Sequence, residues 1–253
     1  MKIVVKLGTN VLTNEKGELD EKVIASITRQ VAELKQQGHQ VIVVSSGAVA
    51  AGKSIYRLTN VQNNVIRRQV YSSIGQVKLM STYAGYFAKH GLVCAQVLAT
   101  KEDFTGKEHY KNMSNCFKGL LKDDIIPVVN ENDVVSLTEL MFTDNDELAG
   151  LTAFMVKADK LIILSNVEGV FNGDPSHADS KVIAEVNFSS DTLDGFIQKE
   201  KSTYGRGGML AKVEIARKTT EKGIVTYIAN GKKENIIHSI LQGESVGTKF
   251  LVS

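Results

Sequence analysis

Short runs rich in valine and isoleucine alternate with long helical patterns along the whole chain, and this alternation constrains the fold more than any other feature. The runs that predict strands covered on both faces are 2–7, 40–45, 92–99, 125–130, 160–165 and 224–229. The segments that predict helices are 20–37, 63–90, 108–123, 145–157 and 209–222. Such an alternation predicts an α/β protein, a three-layer α/β/α sandwich with a mainly parallel central sheet.

Composition and charge limit the partners that we expect. Among the 253 residues, 43% are hydrophobic and 23% are charged, which is typical of a soluble globular protein. The 30 Lys and Arg residues are nearly balanced by 28 Asp and Glu residues, so the chain has no strong positive field. We therefore expect no nucleic acid partner. No apolar run is long enough for a signal peptide or a membrane span, which predicts a cytoplasmic protein without membrane contact. Cys94 and Cys116 form no CxxC motif, and we expect reduced thiols buried in packing.

One segment matches the phosphate-binding P-loop pattern G-x-x-x-x-G-K-[ST] at every position, from Gly47 to Ser54. In a P-loop, backbone N–H groups would surround the phosphate and Lys53 would supply a positive charge. The interior Ala-Val-Ala-Ala favours a helix instead, and no later predicted strand ends in the aspartate that would hold magnesium. We therefore expect a helix that begins at Ser46-Gly47, with Lys53 in solvent.

Better candidates for ligand binding follow the strand ends, because ligands of such sheets bind beyond the carboxyl ends of the strands. Lys6 near the end of the first strand can attract an anion, and Gly8 lets backbone approach that anion closely. Ser45-Ser46-Gly47 offers hydroxyl and N–H groups at a helix start. Taken singly, these features also have plainer interpretations, a strand-edge lysine and a helix N-cap.

Three further segments place polar side chains or glycines at loops and helix starts. Asn130-Glu131-Asn132-Asp133 follows a predicted buried strand. Thr-Asp-Asn-Asp at 143–146 opens a predicted helix, and helix capping explains one of these four polar residues but hardly three. The glycine-rich loop 205–212 leads into a helix and ends in Lys212, a combination that favours phosphate. A loop without a ligand remains the alternative for the first and third segments.

Taken together and in order, these segments resemble the amino acid kinase family. Their sequences are K-L-G-T-N, V-S-S-G-A-V-A-A-G, V-V-N-E-N-D, D-N-D-E-L-A, G-V-F-N-G-D-P and G-R-G-G-M-x-x-K. The resemblance extends from about Lys2 to the C-terminus and is strongest to the members that phosphorylate the side-chain carboxylate of glutamate, the first step of proline biosynthesis. It implies a phosphotransferase with a carboxyl group as acceptor, L-glutamate and ATP as substrates, and Mg²⁺ as cofactor.

The resemblance also implies a role for individual residues. Lys6 and Lys212 would hold the ATP phosphates, and Asp146 would orient both lysines in catalysis. The residues implied to bind glutamate are Ser46, Asp133 and Asn145, with Asp133 suited to the ammonium group. The residues implied to bind the nucleotide are Lys6, Gly8, Ser165, Asn166, Arg206, Gly207, Gly208, Met209, Leu210, Ala211 and Lys212. No protein ligand of the metal is implied.

Two positions depart from the pattern of the family. The family often has Thr-Asp at Ser165-Asn166 and a small threonine at Arg206, so this chain loses one negative charge and gains one cation near the nucleotide. The resemblance implies a single kinase domain over 1–253, with about 1–157 mainly on the amino-acid side and about 158–253 mainly on the nucleotide side. From the length we expect the kinase domain alone, without the additional C-terminal PUA domain, of a type associated with RNA binding, that many members carry.

Other expectations and alternatives follow from the family. It implies a homo-oligomer, a dimer or a tetramer, and feedback inhibition by proline through the glutamate pocket. Within the same fold, a kinase of aspartate, N-acetylglutamate, carbamate or a nucleoside monophosphate is the alternative, and Asp133 discriminates because a free α-ammonium group needs an acid. A non-catalytic sensor on the same scaffold is a further alternative, against which the presence of Lys6, Asp146 and Lys212 argues.

Replacing Lys53 separates the kinase interpretation from the P-loop interpretation. Lys53→Ala should keep kcat within about twofold of the wild type if the lysine is solvated, whereas a P-loop NTPase would lose nearly all activity. Steady-state ADP release measures the difference, and an inactive Lys53→Ala enzyme would favour the P-loop.

Overall fold

The computed structural model describes residues 1–136, 142, 144–177, 179–188 and 208–251. Its strands are β1 Lys2–Leu7, β2 Gln40–Ser45, β3 Cys94–Ala99, β4 Ile126–Glu131, β5 Lys160–Ser165, β6 Glu185–Val186, β7 Val225–Asn230 and β8 Thr248–Phe250. They form one sheet in the order β3-β4-β2-β1-β5-β7-β8-β6. The pairs from β3 to β7 are parallel, and β8 pairs antiparallel with β7 and parallel with β6.

Along the chain, the helices of the described residues connect the strands. Their bounds are α1 Thr9–Leu12, α2 Glu21–Gln36, α3 Ala48–Ile55, α4 Asn64–Ala88, α5 Lys107–Lys122, α6 Asn145–Val156, α7 Met209–Thr220 and α8 Ile236–Leu241. A 3₁₀ turn covers Lys101–Phe104. The mainly parallel sheet with helices on its faces confirms the predicted fold class.

The predicted strands and long helices are confirmed to within two residues at each end. The sequence pattern did not predict the antiparallel edge of the sheet, because β6 has 2 residues and β8 has 3, too few to show a period. It also did not predict α1 and α8, which have 4 and 6 residues. The helix expected after β2 is present as α3.

The two faces of β1 belong to two separate hydrophobic cores. Ile3, Val5 and Leu7 pack with residues of α2, α4 and α8, whereas Val4 packs with residues of α6 and α7. Because side chains alternate between the faces of a strand, Lys6 lies on the same face as Val4. The lysine is therefore directed towards α6 and α7 by its position in the strand alone.

Helices α3 and α4 cross with their backbones in contact. A Cβ on Gly52 would lie 1.9 Å from the backbone oxygen of Tyr71, and a Cβ on Gly75 would lie 1.8 Å from the backbone oxygen of Ala48. Only glycine permits this approach, since both opposing atoms belong to the backbone. The crossing places α4 beside the first turn of α3 and so beside the end of β2.

Two expectations about the surface can be compared with the structure. None of the described helices combines the length and the apolar character that crossing a membrane requires. Cys94 and Cys116 are free thiols, but Cys116 is exposed on α5 and Cys94 is only partly buried. The expectation of buried thiols is therefore wrong for Cys116, because it lies on the solvent face of an amphipathic helix.

Replacing Gly75 tests the importance of this helix crossing. Gly75→Ala should lower the free energy of unfolding by about 3 kcal/mol, because two backbone segments must separate to admit the methyl group. Gly85→Ala is the matched control in the same helix, since nothing lies within 4 Å of its Cβ position. In Gly85→Ala the free energy of unfolding should rise by about 0.5–1 kcal/mol, because alanine is favoured over glycine inside a helix. Urea unfolding curves measure both values, and equal effects would show that the crossing is not tight.

Candidate active site

Lys6, Asp146 and Lys212 form an ion cluster beyond the end of β1. Lys6 Nζ lies 2.5 Å from Asp146 Oδ1, and Lys212 Nζ lies 2.9 Å from Asp146 Oδ2, so each carboxylate oxygen faces one lysine. The three side chains come from β1 and from the first turns of α6 and α7. The structure thus brings together the three residues for which the sequence predicts a catalytic role.

Burial and the two lysines act on Asp146 in opposite directions. Complete burial would by itself raise the pKa of Asp146, but the charges and hydrogen bonds of Lys6 and Lys212 outweigh it and lower the pKa below its usual value. Two ammonium groups face the one carboxylate of Asp146, and Asp144 adds a second carboxyl group beside them. The cluster also lies at the N-terminal ends of α6 and α7, where the helix dipoles favour anions. Its electrostatics therefore suit a phosphate.

Asp144 caps the helix that carries Asp146. Its Oδ1 accepts hydrogen bonds from the backbone N–H groups of Asp146 at 2.8 Å and of Glu147 at 3.4 Å. Burial, followed by the negative charge of Asp146, raises the pKa of Asp144 to about 6, although Lys6 and Lys212 oppose the shift. Although the two carboxyl groups are neighbours, the pKa of Asp144 is raised and the pKa of Asp146 is lowered.

Asn145 links the start of α6 to the ends of β2 and β4. Its Nδ2 donates to the backbone oxygen of Ser45 at 3.1 Å, to Ser46 Oγ at 3.0 Å and to Asn130 Oδ1 at 2.9 Å. The hydroxyl groups of Ser45 and the buried Tyr83 are 2.9 Å apart, which connects the end of β2 to α4. Ser46, Asn130 and Asn145 are consequently held as one unit.

Two cavities share a wall at the start of α6, next to the ion cluster. The larger cavity, of about 680 Å³, is lined by the start of α3, the end of β4 and Arg68 of α4. The smaller cavity, of about 530 Å³, lies between the ends of β1 and β5 and the start of α7, with Lys6 and Lys212 in its wall. The residues that line both cavities are Thr9, Ser46, Asp144 and Asn145. This arrangement suits a polyanion in the smaller cavity next to a second ligand in the larger one.

The carboxylates of the larger cavity are paired with Arg68. Its Nε and Nη2 lie 2.9 and 2.8 Å from Asp133 Oδ1, and its Nη2 lies 3.0 Å from Glu131 Oε2. Ser72 Oγ donates to Asp133 Oδ2 at 2.7 Å. Burial, followed by the charge of Asp133, raises the pKa of Glu131, and Arg68 offsets part of this. The sequence predicts a substrate ammonium group as the partner of Asp133, and the structure gives it two protein partners as well.

Most residues predicted to bind the nucleotide line the smaller cavity. These are Lys6, Gly8, Ser165, Asn166, Gly208, Met209 and Lys212. A Cβ on Gly8 would lie 3.6 Å from Lys6 Nζ, so the glycine keeps the space beside the lysine open. Leu210 and Ala211 belong to the first turn of α7 but are not part of the described cavity wall. The predicted residues Arg206 and Gly207 lie outside the described residues.

The segment that matches the P-loop pattern folds as the start of α3. Its first glycine, Gly47, precedes the helix with φ +98°, and its second, Gly52, is packed against α4. Lys53 is exposed, with Nζ 6.0 Å from the ring centroid of Tyr71. The glycines therefore serve the turn and the helix crossing. The expected helix is confirmed and Lys53 is exposed, although it also lines the larger cavity.

Three residues of α4 that contact the wall of the larger cavity were not predicted from the sequence. Arg68, Ser72 and Gln76 are spaced four residues apart and lie on one helix face. Arg68 and Ser72 contact Asp133, and Gln76 Oε1 accepts a hydrogen bond from Asn130 Nδ2 at 2.9 Å. Polar residues that recur at every fourth position of a predicted helix were the signal that could have identified them.

Sequence comparison gives the relatives of this chain. Residues 1–230 match the amino acid kinase family. The chain is 47% identical over 254 residues to a glutamate 5-kinase of Bacteroides thetaiotaomicron, an alignment that covers 100% of this chain and 70% of the relative. It is 48% identical over 250 residues to a glutamate 5-kinase of Chlorobaculum tepidum, which covers 99% of this chain and 69% of the relative.

Solved structures with the same fold have much lower sequence identity. A carbamate kinase from Giardia lamblia bound to AMP-PNP superposes with a TM-score of 0.70 at 18% identity, covering 100% of this chain and 98% of that chain. A UMP kinase from Bacillus anthracis superposes with a TM-score of 0.66 at 14% identity, covering 100% and 96%. At these identities the likeness supports the fold alone.

Replacing Asp144 tests the raised pKa of its carboxyl group, which burial and the charge of Asp146 cause. Because the fold raises this pKa from 3.8 to about 6, ionised Asp144 destabilises the native state, and the wild type should lose stability as the pH rises between those values. Asp144→Asn keeps a capping oxygen, so its melting temperature should exceed that of the wild type by roughly 2–4 °C above pH 6 and match it near pH 4.

Asp144→Ala is the control, because it removes the charge and the cap together and should be less stable than Asp144→Asn by about 1 kcal/mol at every pH. Thermal unfolding followed by circular dichroism between pH 4 and pH 8 measures both variants. A constant difference between wild type and Asp144→Asn over this range would contradict the raised pKa of Asp144.

Proposed function

The chain belongs to the amino acid kinase family, in the branch of the glutamate 5-kinases, and on this premise we propose that it transfers the γ-phosphoryl group of ATP to the side-chain carboxylate of L-glutamate. The product is L-glutamyl 5-phosphate, and the reaction is the first step of proline biosynthesis. The observation that carries the proposed mechanism is the Lys6–Asp146–Lys212 cluster at the junction of two cavities.

The acceptor needs no general base. The side-chain carboxylate of glutamate has an ordinary pKa of about 4.3, so it is already ionised at neutral pH. The obstacle is the repulsion between this carboxylate and the phosphates of ATP, and catalysis must come from positioning and from positive charge. Lys6 and Lys212 supply that charge at the place where the two substrates meet.

Asp146 has the role of orienting the two lysines. A fully buried carboxylate between two ammonium groups fixes both of them without cancelling their combined charge. The remaining positive charge faces the transferred phosphoryl group, whose negative charge it stabilises during transfer. Mg²⁺ supplies further neutralisation of the phosphates when it is bound with ATP.

The larger cavity has the groups that an α-amino acid requires. Asp133 suits the ammonium group, and Ser46 and Asn145 lie in the wall that both cavities share. We assign to these three residues the binding of glutamate, with its side-chain carboxylate directed towards the ion cluster. An N-acetylated substrate offers no cation to Asp133, which favours glutamate over N-acetylglutamate.

The smaller cavity has the groups that a nucleotide requires. The open space beside Gly8, the start of α7 at Gly208 and the side chain of Met209 are suited to phosphates and to an apolar base. Ser165 and Asn166 form the remaining wall at the end of β5. The proposed nucleotide-binding segment also includes Arg206, Gly207, Leu210 and Ala211 in the glycine-rich sequence before and within α7.

Several properties of the family complete the proposal. We propose one kinase domain over 1–253, with the amino-acid side at about 1–157 and the nucleotide side at about 158–253. A cytoplasmic location, a homo-oligomeric state and inhibition by proline through the glutamate pocket are proposed with it. Among the described residues, no helix could span a membrane.

An acceptor panel tests the substrate assignment. ADP release is measured with glutamate, aspartate, N-acetylglutamate and carbamate, and hydroxylamine is added to trap an acyl phosphate as the hydroxamate. Turnover with glutamate and formation of its hydroxamate are expected. Turnover with another acceptor and none with glutamate would reassign the function within the fold.

Replacing Asp146 tests its role. Asp146→Asn should lower kcat by roughly 10²–10³-fold with little change in the KM for glutamate, because the lysines lose their orientation in the transition state. Glu147→Gln is the neighbouring control, since Glu147 pairs with Lys101 at 2.8 Å on the outside of the same helix turn. Steady-state kinetics measures both variants, and an effect of Asp146→Asn on KM alone would contradict the assignment.

A further inference from the structure

Helix α4 presents a row of polar side chains to the end of β4, where the proposed glutamate site lies. Arg68, Ser72 and Gln76 occupy successive turns on one face of the helix. Each contacts the segment 130–133, through Asp133, Glu131 or Asn130. Leu79, Tyr83 and Phe87 of α4 belong to the hydrophobic core, so this row is a separate feature of the helix.

Arg68 changes the charge of the larger cavity. Glu131 and Asp133 are 4% and 8% exposed, and both would be anionic beside a substrate that itself carries two carboxylates. The guanidinium group of Arg68 pairs with both carboxylates and offsets one of their two negative charges, which leaves one for an α-ammonium group. Lys16 and Lys53 also line this cavity, but the described contacts pair neither of them with these two carboxylates. Without Arg68 the two carboxylates would repel the carboxylates of glutamate.

Arg68 and Ser72 also fix the direction of the Asp133 carboxylate. Arg68 occupies Oδ1 with two nitrogen atoms, and Ser72 occupies one acceptor position of Oδ2. A carboxylate oxygen can accept two hydrogen bonds, so Oδ2 keeps one position for a further donor. A donor that enters the larger cavity therefore meets a carboxylate whose rotation is already prevented.

We propose that Arg68, assisted by Ser72, is the positioning residue that sets the affinity for the α-amino group of the substrate by holding Asp133 in place and by cancelling the charge of Glu131. This inference rests on the proposed function, since it assigns the ammonium group of glutamate to Asp133. Arg68 acts through Asp133 and stays away from the phosphoryl group, so it affects substrate binding and leaves the chemical step unchanged.

Substitution of Arg68 should change one kinetic constant only. Arg68→Gln should raise the KM for glutamate by about 10- to 100-fold, while kcat and the KM for ATP stay within about twofold. Arg68→Lys should recover part of the loss, because a lysine restores the charge but not the two-pronged contact with Asp133. A residue that merely stabilises α4 would lower the melting temperature without this selective effect on KM.

Neighbouring residues of α4 provide matched controls. Arg67→Gln makes the same change of charge one residue away, where Arg67 Nη1 donates to the backbone oxygen of Val61 at 3.0 Å. Ser72→Ala should raise the KM for glutamate about 3- to 10-fold, and its control is Ser73→Ala, since Ser73 Oγ bonds only to Gln69 of its own helix at 2.8 Å among the contacts described. Ser72→Ala also keeps the proposal testable if Arg68→Gln does not fold.

The experiment distinguishes failure of this inference from failure of the proposed function. A wild-type enzyme without turnover of glutamate overturns both. An active wild type whose Arg68→Gln and Ser72→Ala variants resemble their controls overturns the role of Arg68 alone, and so does a fall of kcat with an unchanged KM. A selective rise of the KM for glutamate in both variants, with unchanged controls, supports it.

Discussion

The site depends on one buried ionic interaction, the contact of Asp146 with Lys6 and Lys212. A carboxylate without solvent exposure is tolerated in the ionised state only when cations compensate for the lost hydration. The two ion pairs connect three separate elements, the end of β1 and the starts of α6 and α7. Loss of either lysine would leave the buried carboxylate with one cation instead of two, so the geometry of the cluster depends on both.

The rest of the fold places these elements where the cluster can form. β1 lies in the middle of the sheet between β2 and β5, and the alternation of its side chains directs Lys6 towards α6 and α7. Asn145 then ties α6 to the ends of β2 and β4, where the larger cavity lies. The two cavities are in this way joined by the first turn of a single helix.

Helix α4 has a second function besides packing. Its glycine contact with α3 brings it close to the end of β2, and its polar row then reaches the end of β4. In the larger cavity Arg68 pairs with Glu131 and Asp133, whereas Lys6 and Lys212 of the smaller cavity pair with Asp146. The charged groups of the two cavities are therefore held by different helices.

The sequence by itself determined the fold class, the order of the long elements and the segments that form the site. These follow from local rules, the periods of strands and helices and the position of ligand-binding loops at strand ends, and the structure agrees with them from β1 to α7. Family resemblance added the pairing of Lys6, Lys212 and Asp146 that residue patterns could not supply. The antiparallel edge strands were too short to carry a local signal.

Only the tertiary structure decided which charges neutralise one another. Gly52 of the P-loop-like segment became a helix contact because another backbone occupies the space where a Cβ would be, and no local pattern records that neighbour. Arg68 lies more than sixty positions from Asp133, yet both reach the same cavity. The raised pKa of Asp144 and the lowered pKa of Asp146 likewise depend on burial and on lysines from distant segments. Electrostatic interactions act through space, so they are fixed only when the chain has folded.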